Sequence, residues 1–485
     1  MAVSESLNVS TATAMTALRD LLVSVGLSVD ENRKVSFEGA DPVLPSRFLL
    51  GTAGAVALAA VGVGVADIHM LRGGAPLDIA VSLAAAAASL RSSSYLRVND
   101  MPPPNPWDPI AGFYLARDGR HIQLHTNFPH HRDGTVQLLG ARNDRDAVGA
   151  AIAGRDAFAL EDDMAAAGLC AAVARTREEW QRHMQFQAIA AAPLIDIEKC
   201  GDSAPEPFAH RSIRGPVRRN GSNDATRPLR GIRVLDLTRV LAGPTCGRAL
   251  AEHGAEVLAI ASPRLPNLPF VVLDTNHGKY SAHLDLDDAE DLITLQQLVR
   301  GAEVFSQSYR PGALAKRGFS VTELHALRPG IVCVDLCAYG HVGPWSMRRG
   351  YDTLVQSASG IALEQGEGVN PQHLPCSALD YITGYLGAFG ALIALARRAR
   401  EGGSYRVRVS LAQTARWLDG LGRITGEMSG TKNIAPDVTS LMQDGDSPAG
   451  RLRFLGPVLR LRGARSGWRF PAVPTGTHAA AWRDC

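Results

Sequence analysis

Between Glu367 and Glu401 the only acid is Asp380, set among Leu379, Tyr381 and Ile382 where a Gly-rich helical stretch begins. An aspartate in that setting has two readings. It is a preferred helix N-cap, or it is a desolvated carboxylate whose nucleophilicity rises while helix N–H groups stabilise its charge. By residue type alone the cap is the ordinary reading. His121, His125, His130 and His131 put four imidazoles close together. The H-x-x-x-H pair falls on a predicted strand without accompanying carboxylates, which reads as a surface pair on a polar hairpin rather than a metal site. Cys333 and Cys337 lie on or just after a buried strand and read as inert packing. The arginine-rich stretch from Arg451 to Arg469 reads as a surface wrap.

These residues need elements to hold them. Strand-like runs occur at Arg233–Leu237 (RVLDL), Glu256–Ile260 (EVLAI), Glu303–Phe305 and Ile331–Leu336 (IVCVDL), with helix-length segments between. Strands alternating with helices imply an α/β fold, a doubly wound parallel sheet. The first βα loop, Thr238–Gly247 (TRVLAGPTCG), holds only Gly243 and Gly247, and the second strand runs into Ala-Ser-Pro without a ribose-binding acid. Neither the dinucleotide fingerprint nor a Walker A loop is present, so NAD and ATP are poor candidates. The loop still offers backbone N–H groups at a helix start, a place for an anionic or polar ligand.

Upstream, Leu49–Ala66 is uncharged and barely long enough to span a bilayer. Its Gly and Ala content, with Arg47 and Asp67 flanking it, reads as a buried helix. Residues 1–45 are polar, carry one short helical pattern near Met15–Val25, and read as peripheral. Residues 44–83 and 374–411 share an order of features: Leu-Pro, a Gly/Ala helix, a double glycine, and a strand ending Val-Ser-Leu. That order reads as duplication. The first copy has no acid between Asp41 and Asp67, so it lacks Asp380's counterpart. Met101–Pro109 (MPPPNPWDP) marks a boundary. A hairpin turning at Asp118-Gly119 opens a mixed region, and the polar run Arg211–Arg227 reads as a linker. The organisation expected is a polar segment (1–45), a partial repeat (46–100), a small α/β domain (101–210), the linker (211–227), a Rossmann-like domain (228–425) and a return segment (426–485).

The 485 residues suggest two or three domains. Apolar residues make up 46% and charged residues 20%, ordinary for a globular chain. A formal charge of +2 gives no field favouring nucleic acid or a membrane. Seven scattered cysteines without a C-x-x-C pair argue against a disulfide scaffold and a zinc ribbon. They point to a reducing, cytoplasmic setting.

The run from Arg227 to Ile260 (RPLRGIRVLDLTRVLAGPTCGRALAEHGAEVLAI) resembles the opening of the class III CoA-transferases, a family whose relatives include α-methylacyl-CoA racemase. His277–Leu286 (HGKYSAHLDL), Ser308–Phe319 (SYRPGALAKRGF), Arg348–Ile361 with Leu374–Leu395, and Pro471–His478 (PAVPTGTH) resemble further family segments in the family's order. Asp118–Arg132 and Arg175–Ile197 are similar to its small domain, which here precedes the sheet domain instead of following it. The resemblance implies transfer of CoA between carboxylic acids, with Asp380 as nucleophile. Leu241, Ala242, Lys279, Tyr309 and Arg310 fall on CoA-binding positions, with Arg264, Lys316 and Arg317 as weaker phosphate candidates. Coenzyme A enters as substrate, with no metal and no NAD. The partners implied are an acyl-CoA, a carboxylic acid and a second copy in an interlocked homodimer, or a pseudo-dimer within one chain.

The chain departs from the family in places. Ser308 replaces an asparagine, ASPRLP replaces a charged run, and the glycine-rich lid of formyl-CoA transferases has no counterpart. A catalytically silent acyl-CoA binder is therefore one alternative. A racemase is the other. It needs two bases, yet Tyr351 stands where the family's histidine belongs, and a tyrosine of pKa near ~10 is a poor base. His341 and His373 lack matching context, and Tyr351 reads as packing.

Overall fold

The computed structural model describes residues 2–28, 34–208, 226–368, 370–425 and 434–483; most of the linker expected over 211–227 lies outside them. The expected parallel sheet is present, with two strands that the sequence did not suggest, Lys279–His283 and the antiparallel Asp196–Gly201. The first five strands after the linker are β7 (Arg233–Leu237), β8 (Glu256–Ala261), β9 (Lys279–His283), β10 (Val304–Gln307) and β11 (Val332–Cys337). With β12 (Ser404–Ser410) and β6 (Asp196–Gly201) they form seven strands in the order β9-β8-β7-β10-β11-β12-β6. All neighbours are parallel except β12 and β6. The strand order reverses between β7 and β10, and at such a switch point the crevice beyond the strand ends is the usual ligand site.

Helix α2 (Leu50–Leu71) and helix α8 (Ala378–Glu401) pack together in the core. Each is long and apolar enough to cross a bilayer, but 89% and 94% of their most apolar windows are buried inside the protein. Their approach is close: a Cβ on Gly64 would lie 2.8 Å from Leu392. Helix α1 (Ala2–Ser24) packs on α2, with Ala14, Leu18, Leu21 and Leu22 buried in the same core. The N-terminal segment is thus longer in helix than expected and not peripheral, because its apolar face at Leu18, Leu21 and Leu22 covers α2.

The two segments that share an order of features in sequence pair their strands in the same way. Strand β1 (Val35–Glu38) pairs in parallel with β2 (Asp78–Ser82), as β11 pairs with β12. An antiparallel strand closes each set: β15 (Arg460–Arg462) joins β2, and β6 joins β12. After β2, Ser82 caps α3 (Leu83–Ser89) by accepting from Ala85 N–H; after β12, Ser410 caps α9 (Leu411–Gly420) by accepting from Gln413 N–H. Each return strand serves the other copy. The segment after the first repeat ends in β6, on the second copy's sheet, and the chain's last strand returns to the first copy.

Between them, β3 (Gly112–Leu115), β4 (His121–Leu124) and β5 (Ala171–Val173) form the small antiparallel sheet, with Gly119 at the hairpin turn in the left-handed region. Helix α4 (Pro129–Leu139) follows β4 with proline in its first turn. Strands β13 (Met442–Ser447) and β14 (Gly450–Leu455) form a hairpin, and beyond it Trp468 packs back on the sheet domain, donating its indole N–H to Arg248 O.

Candidate active site

The first βα loop runs from the end of β7 to α5 (Ala242–Glu252). Val240 adopts φ +68° there. For a β-branched residue this is an outlier of order ~1–3 kcal/mol, tolerated only where surroundings enforce it. Enforcement comes from Asp236, 2% exposed, whose Oδ1 accepts from Thr238 N–H (3.0 Å) and hydroxyl (2.5 Å). Lys279 Nζ donates to Asp236 Oδ2 (2.9 Å) and to Pro244 O (2.7 Å). A Cβ on Gly247 would lie 2.5 Å from Asp236 Oδ2 and 3.0 Å from Lys279 Nζ, so only glycine leaves room for the pair.

Lys279 was expected to contact CoA. Its side chain is instead completely buried and is not among the cavity residues described below. Burial lowers its pKa, and the Asp236 charge opposes the shift. The lysine braces the loop from behind.

Asp380 is the third residue of α8, not its N-cap. The capping is done from elsewhere: Asp380 N–H donates to Asp352 Oδ2 at 3.0 Å. Asp352 opens α7 (Asp352–Ala358), and its other oxygen accepts from Gln356 Nε2. In the first copy the carboxylate of Asp41 does the same for α2, accepting from Gly51 and Thr52 N–H, each at 2.9 Å. Thr52, third residue of α2, stands in the place of Asp380, so the repeat lacks the acid.

The Asp380 side chain is half-buried and faces the cavity. Burial, reinforced by the nearby Asp352 charge, holds its carboxyl well above the usual range. Burial likewise raises Asp352 to about 6, against the hydrogen bonds that favour its charged form. Two carboxyls in one site resist ionising together.

The rotation of α8 is set one residue later. Tyr381 donates to Asp274 Oδ2 (3.0 Å), which also receives Ser92 Oγ (2.9 Å) and Arg248 Nη1 (3.0 Å) in a buried cluster. Three residues further, a Cβ on Gly384 would lie 2.4 Å from Ala242 O. The absent side chain lets α5 and α8 meet, which brings Leu241 and Ala242 beside Asp380.

These residues line one cavity of about 320 Å³ at the switch point. Leu241, Ala242, Tyr309, Arg310 and Asp380 all face it, five of the six positions named from sequence. Arg310 is exposed at its mouth. The weaker candidates do not enter: Arg264 and Arg317 border an adjacent cavity, paired with Asp285 and Asp287, and Lys316 is exposed.

Sequence reasoning missed Arg239, Arg348 and Arg349 on the cavity wall. Arg348 is neutralised by Glu161 (3.4 Å) and Asp162 (3.0 Å). Arg310 and Arg349 have no carboxylate partner among the described residues. Among the described residues Asp380 is the only acid on the wall, so the cavity offers fixed positive charge around one carboxyl.

The small domain closes the other side with Phe128, His130 and His131. His131 Nε2 lies 3.3 Å from Tyr351 Oη, and the His125 ring stacks on Tyr351 with centroids 3.9 Å apart. The expected surface histidines are therefore corrected: His125 is 7% exposed and His131 2%. The error lay in extending the strand past Leu124. Proline at 129 starts a helix, and that signal moves His130 and His131 into its first turn. Burial pulls His125 and His131 down to about 3, so both are neutral. No cluster of three or more metal-ligating side chains occurs among the described residues. His341 is tied to Val409 O at 3.2 Å, and His373 packs on Trp107 and Phe113; neither lines the cavity.

The sequence model of CoA-transferase family III matches residues 229–434, a span holding the switch-point loops and Asp380. Over these residues the chain is similar to CoA-transferase family III. Over 210 residues it is 39% identical to an acetyl-coenzyme A transferase of Hypoxylon pulicicidum, covering 42% of this chain and 35% of that one. It is 34% identical to the succinyl-CoA:glutarate CoA-transferase of Mus musculus, covering 37% and 44%. The succinate–glutarate CoA-transferase of Agrobacterium fabrum is 32% identical over 38% of this chain and 51% of its own. The chain thus spans about half or less of these curated relatives. Among solved structures, a hypothetical protein from Mycobacterium tuberculosis is 31% identical over 40% of this chain and 56% of its own, with a TM-score of 0.37. In the matched segment, Tyr309 and Arg310 stand on β10's loop and Leu241 and Ala242 on β7's, the two sides of one crevice.

Proposed function

We propose that the protein transfers CoA between carboxylic acids through covalent intermediates on Asp380. The observation that carries this reading is the half-buried Asp380 carboxyl, among the described residues the only acid facing a cavity at the switch point whose charged wall groups are otherwise arginines. Withdrawal from water raises the basicity of Asp380, and so the nucleophilicity of its ionised form. Its oxygen attacks the thioester carbonyl, the C–S bond breaks, and a mixed anhydride and CoA thiolate result. The thiolate attacks the aspartyl carbonyl, releasing the donor acid and leaving an Asp380–CoA thioester. The acceptor carboxylate attacks that carbonyl in turn and expels the thiolate, which takes the acceptor's acyl group and frees Asp380. Thioester energy is conserved at every step. Leu241, Ala242 and Tyr309 border the pantetheine arm, while Arg310, Arg239 and Arg349 supply charge for the phosphates.

Support for a quaternary reading comes from the crossed return strands. One chain supplies both halves of an interlocked pair, so the working unit is an internal pseudo-dimer, and sedimentation at the 51.6 kDa of a single chain is the expected result. A reducing, cytoplasmic setting belongs to the same reading, supported by six free cysteines among the described residues.

The test is intact mass after incubating wild type and Asp380→Ala with a panel of acyl-CoAs, hydroxylamine serving as trap. A wild-type adduct mapping to Asp380 and absent from the variant is expected. Binding of CoA without any adduct would make the protein a silent binder instead.

A further inference from the structure

The small domain does more than close the cavity. Tyr351 is the N-cap of α7, one residue before the Asp352 that holds the Asp380 N–H, so its phenol and the Asp380 carboxyl share one wall. The ring is clamped by small-domain aromatics, with His125 stacked on it and Phe128 at 5.9 Å between centroids. Only one protein group approaches its hydroxyl within hydrogen-bond distance among the described residues: His131 Nε2, at 3.3 Å.

We infer that His131 is a positioning residue, whose Nε2–H donates to Tyr351 Oη and so turns the tyrosine O–H into the cavity, toward the oxygen of the carbonyl that Asp380 attacks. The inference rests on the transfer reading above. As the Asp380 oxygen bonds to the carbonyl carbon, the C=O electron pair moves onto that oxygen, where the Tyr351 O–H stabilises it. The pair returns as the C–S bond breaks, and no proton changes owner. Tyr351 is then a catalytic residue and His131 acts through it.

The Cys170 sulfur packs beside the same imidazole, 3.6 Å from Nε2 and 3.9 Å from Nδ1, and burial pushes its thiol up to about 12, so it stays protonated. Tyr351 keeps its proton, because burial drives its pKa well above the ordinary phenol value. A fixed donor aimed at developing charge in a site screened from water is an effective source of rate.

The experiment follows the rate at which the Asp380 adduct forms from acyl-CoA, together with steady-state kcat and KM, for wild type, Tyr351→Phe, His131→Phe, His131→Gln and the double Phe variant. Each single Phe variant is expected to slow adduct formation by roughly 10²-fold, with KM for acyl-CoA within twofold of wild type. The double variant should be no slower than Tyr351→Phe, and His131→Gln, which keeps an N–H donor, should recover part of the rate. Multiplicative effects in the double variant, a change in KM alone, or a wild-type rate in His131→Phe would overturn the assignment. If wild type itself forms no adduct, the transfer reading falls and this one with it. If wild type reacts and His131→Phe matches it, only the role of His131 falls.

Discussion

Replacing Lys279 by methionine separates two accounts of that residue. If its ammonium met a CoA phosphate, the variant would fold normally and bind acyl-CoA weakly. The structure gives it different work. Nζ is fully buried and holds Asp236 Oδ2 at 2.9 Å and Pro244 O at 2.7 Å, while Asp236 Oδ1 is occupied by Thr238. Removing the ammonium leaves a buried carboxylate oxygen without its counter-ion. Breaking one side of such a pair costs about 3–5 kcal/mol, a large fraction of the ~5–15 kcal/mol that ordinarily separates folded from unfolded protein. Equilibrium unfolding in guanidinium should show a loss of that size. Asp236→Asn added to Lys279→Met should restore part of it, since the remaining group is neutral and its oxygen still accepts from Thr238. Unfolding free energy within ~1 kcal/mol of wild type, together with a tenfold rise in KM for acyl-CoA, would refute the bracing role.

Further expectations concern the site itself. Because folding raises Asp352 to about 6 from an ordinary 3.8, and raises Asp380 as well, the folded state binds more protons than the unfolded one in that interval. The stability Asp352 lends is complete below 3.8 and lost as pH climbs through about 6, and that of Asp380 is lost as pH climbs through its own raised value. The denaturation midpoint of wild type should therefore fall over this window more than that of Asp380→Asn, and turnover should rise with pH as Asp380 ionises; turnover that does not rise with pH contradicts this. Gly384→Ala places a methyl 2.4 Å from Ala242 O; a cost of about 1–3 kcal/mol and reduced turnover are expected by denaturation and assay, and wild-type behaviour would mean that α5 and α8 need not touch. On a 2-methylacyl-CoA in deuterium oxide no α-deuterium should appear by mass spectrometry. Of the two imidazoles on the cavity wall, His131 has its pKa pulled to about 3 and that of His130 is lowered by desolvation and the nearby Arg349 and Arg239, so both are poor proton acceptors.

The legible parts of this protein were those written in local pattern. RVLDL, EVLAI and IVCVDL announce buried parallel strands because each is a short apolar run between helix-length segments, and the observed strands differ from them by a residue or so. Lys279–His283 escaped notice as a strand because its alternating polar residues lack such a run. Asp380 stood out by its isolation among apolar neighbours, but its role at the helix start did not. The cap is contributed by Asp352, 28 residues earlier, so no local rule separates a capping aspartate from one left to face a cavity. His131 was misread for a similar reason. Its burial depends on Tyr351, 220 residues away, closing over it.

The sequence by itself determined the parallel sheet, the loop at its switch point, the buried apolar helix at Leu50–Leu71 and the single acid at the start of the second such helix. Each follows from periodicity, turn chemistry or residue type within a short window. Only the tertiary structure decided that Lys279 braces rather than binds, that the small domain's histidines line the cavity, and that each copy's return strand completes the other copy's sheet. Those outcomes depend on which apolar faces find one another. Burial then sets the charge state and partners of Lys279, His131 and Asp380, and burial is a property of the packed whole.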